Sequence, residues 1–134
     1  MIRFSKFFLL VICISILSTV HATAFDPSDL AKLKETKRCA GCDLYRAKLT
    51  DADLSGAHLN GAHLNGANLT GANLTGANLT GAYLVRAKLN GANLTDANLQ
   101  GAYLNRVNLN RANLSGATWT NGCRCNDNEC SNCK

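Results

Sequence analysis

Leucine returns at every fifth residue of this chain, at 44, 49, 54 and onward to 114, and Trp119 takes the next place. Two residues before each stands alanine, from Ala47 to Ala117, with Cys42 at the first place and Val107 as the late exception. Asparagine most often lies between the two, as at Asn68, Asn73, Asn78, Asn93, Asn98, Asn108 and Asn113. Ser, Thr or Asn usually follows the leucine, and glycine closes nine of the sixteen units in residues 42–121. A period of five excludes both regular elements. On an α-helix, at about 100° per residue, successive leucines would fall about 140° apart and form no stripe. On a strand, which alternates faces, every second leucine would turn outward. What fits is a short extended piece with Ala and Leu inward and the middle residue outward. A bend must close it, and the Ser/Thr/Asn and Gly positions supply one. Such a chain coils into a solenoid around a column of leucines.

The run GANLTGANLTGANLTGAYL, residues 66–84, resembles the pentapeptide-repeat family, whose consensus is A-(D/N)-L-x-x. The resemblance covers about 80 of the 134 residues. It implies an all-β, right-handed quadrilateral β-helix with four units to a coil, hence about four coils here. Fifteen leucines and Trp119 would then line the interior, leaving no room for an internal ligand. The asparagines would stack about 4.8 Å apart, with their amides bonding along the column.

The flanks complete the plan. Residues 1–24 read as a signal peptide: Arg3 and Lys6 precede an apolar run, and Ala22-Thr23-Ala24 offers a cleavage site. That apolar run is shorter than the roughly 20 residues of a membrane span, so the mature chain is read as exported without a transmembrane anchor. The periplasm, the cell exterior and a photosynthetic lumen all satisfy this reading. Residues 25–41 form an N-terminal capping segment. Asp26 suits an N-cap and Pro27 the first helical position, and Leu30 and Leu33 share one face. Such a lid would cover the open end of the solenoid. Residues 122–134 form a cysteine-rich C-terminal cap. Without Cys13, six cysteines remain, and export favours disulfides. The expected bridges join Cys39 with Cys42 and pair Cys123, Cys125, Cys130 and Cys133 among themselves, Cys123–Cys125 being the least favoured. A zinc or redox protein using the tail cysteines is the alternative reading. No metal and no cofactor are expected.

The formal net charge is +5, falling to +3 when Arg3 and Lys6 are removed with the leader. That is too weakly basic for a dense phosphate-binding stripe, so nucleic acid is not the expected partner. With twenty residues to a coil, one outward column reads Asp43, His63, Tyr83, Tyr103. The next corner reads Arg46, Gly66, Arg86, Arg106, and the adjoining side reads Lys48, Asn68, Lys88, Asn108, with Arg111 nearby. Tyr83, Tyr103, Arg86, Arg106, Lys48 and Lys88 are therefore the candidate binding residues. The tyrosines would offer flat apolar faces and the arginines planar donors to an anionic glycan, a lipid headgroup or a protein.

No catalytic residue is expected. His58, His63, Asp43 and Asp53 share the first coils, but no acid–base pair in a cleft or nucleophile motif accompanies them. The expected function is a non-enzymatic exported structural or binding module. The family resemblance implies one further alternative, a DNA mimic that binds topoisomerases. That role needs an acidic surface and a cytoplasmic address, whereas this chain is basic and carries a leader.

Overall fold

The structure, a computed structural model, describes residues 25–127 together with Cys130 and Cys133; the leader expected over residues 1–24 lies outside them. Parallel bridges join residues twenty apart, from Arg38↔His58 to Asn98↔Thr118, so four five-residue units close one coil. From Leu44 to Leu99 each inner leucine amide donates along the axis to the next coil, as Leu74 N–H does to the Asn93 carbonyl at 2.7 Å. Between consecutive units the alanine amide closes the bend, as Ala77 N–H does on the Leu74 carbonyl of the unit before it, at 3.0 Å. Leucines from Leu44 to Leu99, with Leu114, are buried. Among the described residues no polar or charged side chain is buried, so the interior is an apolar column.

The coil begins earlier than the repeat predicts. Cys39 takes the leucine place, and its amide donates to the His58 carbonyl at 2.8 Å, so pairing starts at Arg38 instead of residue 42. Over this end lies helix α1, Pro27–Thr36. The Asp26 carboxylate caps it by accepting from the Ser28 amide and hydroxyl, both at 2.8 Å. Lys37 ends it in the left-handed conformation. Leu33 is fully buried beneath the helix, a contribution of about 1.5–3 kcal/mol. The lid also occupies the sheet edge: Asp26 N–H donates to the Asp43 carbonyl at 3.1 Å, and Asp43 N–H donates to the Asp29 carboxylate at 2.8 Å.

The asparagines do more than the one job expected. Asn73 does bond along its column, its Nδ2 donating to the Asp53 carboxylate at 3.3 Å. But the Oδ1 atoms of Asn68, Asn73, Asn78 and Asn93 each accept from the threonine two residues on. Both the threonine amide and its hydroxyl donate, as with Thr75 to Asn73 at 3.2 and 2.7 Å. A short side chain beside a bend reaches its own backbone more readily than the next coil, and this Asx geometry fixes the corner.

The far end is only partly closed. Residues 123–125 fold back antiparallel on the last coil, with Trp119 N–H on the Cys123 carbonyl at 2.7 Å and Cys125 N–H on the Ala117 carbonyl at 2.8 Å. Arg124 anchors the strand by an ion pair to Asp96 at 2.7 Å. This covers one side. Leu104, Val107, Leu109 and Trp119 are therefore half-buried, which corrects the expectation of an interior filled to Trp119. The amides of Leu104, Arg106, Leu109 and Arg111 find no acceptor among the described residues. Hydrogen exchange is expected to be fast at these four amides and slow at Leu74, Leu79, Leu84 and Leu89. Equal protection of Leu104 and Leu84 would show that the end is covered.

Candidate binding edge

The coil rise dictates how the aromatic column packs. His63 stacks on Tyr83 with ring centroids 4.9 Å apart, and Tyr83 stacks on Tyr103 at 4.8 Å with only 4° between the planes. The faces of Tyr83 are thus occupied by its neighbours, which corrects the expectation of freely offered flat faces. What meets solvent is the ring edges and the outer face of Tyr103, and the two tyrosines are 37% and 51% exposed. Lys48 and Lys88 stand on the adjoining side, separated by Asn68 in the same ladder. The structure therefore brings all six candidate residues to one edge of the rod.

The arginine corner carries a signal that the sequence holds but composition does not reveal. Arg46, Arg86, Arg106 and Arg111 have φ of 56°, 59°, 58° and 60°, the left-handed region where the repeat elsewhere places glycine or, at Asp51 and Asp96, aspartate. An L residue with a long side chain is disfavoured there by about 1–2 kcal/mol. Arg46 lays its guanidinium over the Tyr45 ring, 5.0 Å from the centroid. A groove of about 540 Å³ separates Arg46 from Arg86, with Tyr45, Asn65, Gly66, Tyr83 and Val85 as its other walls. Sequence reasoning missed Tyr45 and Asn65, and it read Gly66 as a gap in the column; the gap is the groove. Among the described residues neither ion pair engages this edge, since Lys37 pairs with Asp53 and Arg124 with Asp96.

The residues considered for catalysis do not converge. His63 is held in the aromatic stack, and the Asp43 carboxylate accepts from the Tyr45 amide at 3.1 Å. Asp53 is taken up by Lys37 and Ser55, which hold its exposed carboxyl well below the usual range. Its contribution to stability is complete above the ordinary carboxylate pKa of about 4 and is lost progressively as the pH falls from there through the lowered folded-state value.

Cysteines pair within each end. Cys39 pairs with Cys42, Cys123 with Cys133 and Cys125 with Cys130, at Cα separations of 5.2, 5.6 and 4.5 Å. A carboxylate oxygen of Asp29 lies within 4.8 Å of the Cys39 and Cys42 sulfurs. In a reduced chain this would be a donor set for a thiophilic ion, but here the two sulfurs are bonded to each other.

Short units, twenty residues to a coil and an apolar column define a β-solenoid repeat protein. Residues 42–81 and 82–120 match the family described as pentapeptide repeats, in eight copies, and the chain belongs to that family. Its fold is the right-handed quadrilateral β-helix. Among solved structures the chain is similar to a pentapeptide repeat protein of the Arabidopsis thaliana thylakoid lumen, at 34% identity and a TM-score of 0.57. The match covers 62% of this chain and 55% of that one. It is similar also to HetL, a pentapeptide repeat protein involved in heterocyst differentiation regulation from the cyanobacterium Nostoc, at 34% identity and a TM-score of 0.56. Here 65% of this chain and 51% of that one are covered, so the chain spans about half the length of either structure. No curated protein matches it.

Proposed function

We propose that this chain is a non-enzymatic exported binding module whose rigid β-helix presents its Tyr–Arg–Lys edge to an anionic partner. One observation carries the reading: four arginines on two adjoining corners occupy backbone positions that favour glycine. Strain retained at surface positions, where packing does not demand it, points to the side chain as the reason. The mutual stacking of Tyr83 and Tyr103 stiffens the edge, so little entropy is lost on using it. Three cysteine pairs fit an oxidising compartment, in agreement with the leader and with the lumenal address of one structural neighbour. The mature chain then begins near Phe25, or at Thr23 if cleavage follows Val20-His21-Ala22 instead, and intact-mass measurement of the exported protein checks this. The acidic surface that DNA mimicry needs has no counterpart on this edge.

The arginines supply a test in which fold and function move in opposite directions. Arg86→Gly and Arg106→Gly each relieve a left-handed backbone, so each is expected to raise stability, by about 0.5–1 kcal/mol once the added freedom of the unfolded chain is subtracted. The double variant should nevertheless elute from immobilised dextran sulfate at lower salt than the wild type, with neutral dextran as control. Unchanged elution would place the binding surface elsewhere.

A further inference from the structure

The groove at Gly66 is built like an oxyanion clamp. Arg46 bends across the glycine: a Cβ at position 66 would stand 3.2 Å from Arg46 Cγ, closer than the two would settle without the arginine giving way. The absent side chain thus lets Arg46 lie where it does, with its guanidinium held on the Tyr45 ring. Arg86 stands two coils further along the same corner, about 10 Å away by backbone spacing. Between them the Asn65 amide is oriented by its own bond, since its Oδ1 accepts from the Val85 amide at 3.1 Å. Its Nδ2 hydrogens are left to donate. The groove therefore has two guanidinium forks and a side-chain amide as donors, and none of its walls is a carboxylate. Tyr45, Tyr83 and Val85 add apolar contact for whatever bears the charge.

We propose that this groove binds a sulfate or phosphate ester carried on a sugar or cyclitol ring, with the oxyanion between Arg46 and Arg86 and the ring against Tyr45 and Tyr83. Guanidinium forks match such oxygens two at a time, and the ring explains why apolar walls flank the donors. The inference rests on the reading of this edge as the binding surface and names the place and the ligand class within it.

The test uses the mature chain with two probes, a size-defined dextran sulfate oligosaccharide and vesicles containing a phosphoinositide. Binding to the oligosaccharide alone assigns a glycan source, and binding to the vesicles alone assigns a lipid headgroup; either supports the clamp. Gly66→Asn keeps a residue that tolerates positive φ but displaces Arg46, and Arg46→Gly removes one jaw while relieving strain. Each is expected to weaken the productive probe by about tenfold, with the melting temperature confirming the fold. Lys34→Ala, an exposed cation on helix α1 outside the candidate edge, should weaken it by no more than about threefold, as expected for loss of a screened surface charge. If Gly66→Asn and Arg46→Gly bind as the wild type does while Arg86→Gly/Arg106→Gly has lost binding, the clamp is wrong and the edge stands. If neither probe binds the wild type, both fall.

Discussion

Leu74→Ala is expected to destabilise the rod by about 2–5 kcal/mol, the range for emptying a leucine site in a core that cannot close up. Leu74 is fully buried in the middle of the column. Its strand is pinned from both sides: Leu74 N–H donates to the Asn93 carbonyl at 2.7 Å, and Asn73 N–H donates to the Ala52 carbonyl at 2.9 Å. The cavity therefore stays open, because closing it would break ladders above and below. The same change at Leu104, half-buried in the last coil, should have less than half the effect. Asn73→Ala leaves the Thr75 amide and hydroxyl without their acceptor and should reduce stability by about 1 kcal/mol. Urea unfolding followed by circular dichroism orders the three. Equal losses at Leu74 and Leu104 would contradict the open end.

The column of leucines was legible because a narrow coil has one inward register, and a five-residue period leaves no second way to bury it. The cap was legible at Asp26-Pro27, where two local preferences coincide with a leucine pair. Other features depend on distances that no local pattern carries. Cys39 is the exception: counting back in fives already puts it in the leucine register and Cys42 in the alanine register, and both are buried there, although ladder pairing at Arg38 starts before the recognisable repeat. The tail folds back on the side of Ala117–Trp119 through Thr118 and Arg124, a long-range choice that leaves Leu104 and Leu109 half-covered. On the binding edge, column membership followed from counting in twenties. Ring faces and groove did not: one follows from a coil rise equal to a stacking distance, the other from the bend of Arg46 over Gly66. The most useful unread sign was arginine in a glycine register, since it implies positive φ before any coordinates are known.

Replacing Cys123, Cys125, Cys130 and Cys133 by alanine is expected to open the C-terminal end while the rod stays folded. The two tail pairs close segments with sequence separations of 10 and 5. Loop closure of the longer one corresponds to about 2–3 kcal/mol, which acts on the tail and not on the coils. What the bridges secure is a short strand with three backbone bonds to the last coil, from Gly116 and Trp119 to the tail and from Cys125 back to Ala117. Three bonds on an exposed edge do not outweigh the entropy of a freed segment. Trp119 is the one tryptophan of the chain, partly buried against the core and bonded through its amide to that strand, so its fluorescence reports the opening. The variant should show red-shifted emission with an unchanged far-ultraviolet spectrum, and Cys39→Ala/Cys42→Ala should leave the emission where it was. The two ends lie about 19 Å apart over four coils, whereas a disulfide needs Cα atoms within about 7 Å, so the ends are stapled independently. Loss of the β signal together with the emission shift would mean that the tail nucleates the whole solenoid. A non-reduced peptide joining Cys42 to the tail would overturn the four-coil rod itself.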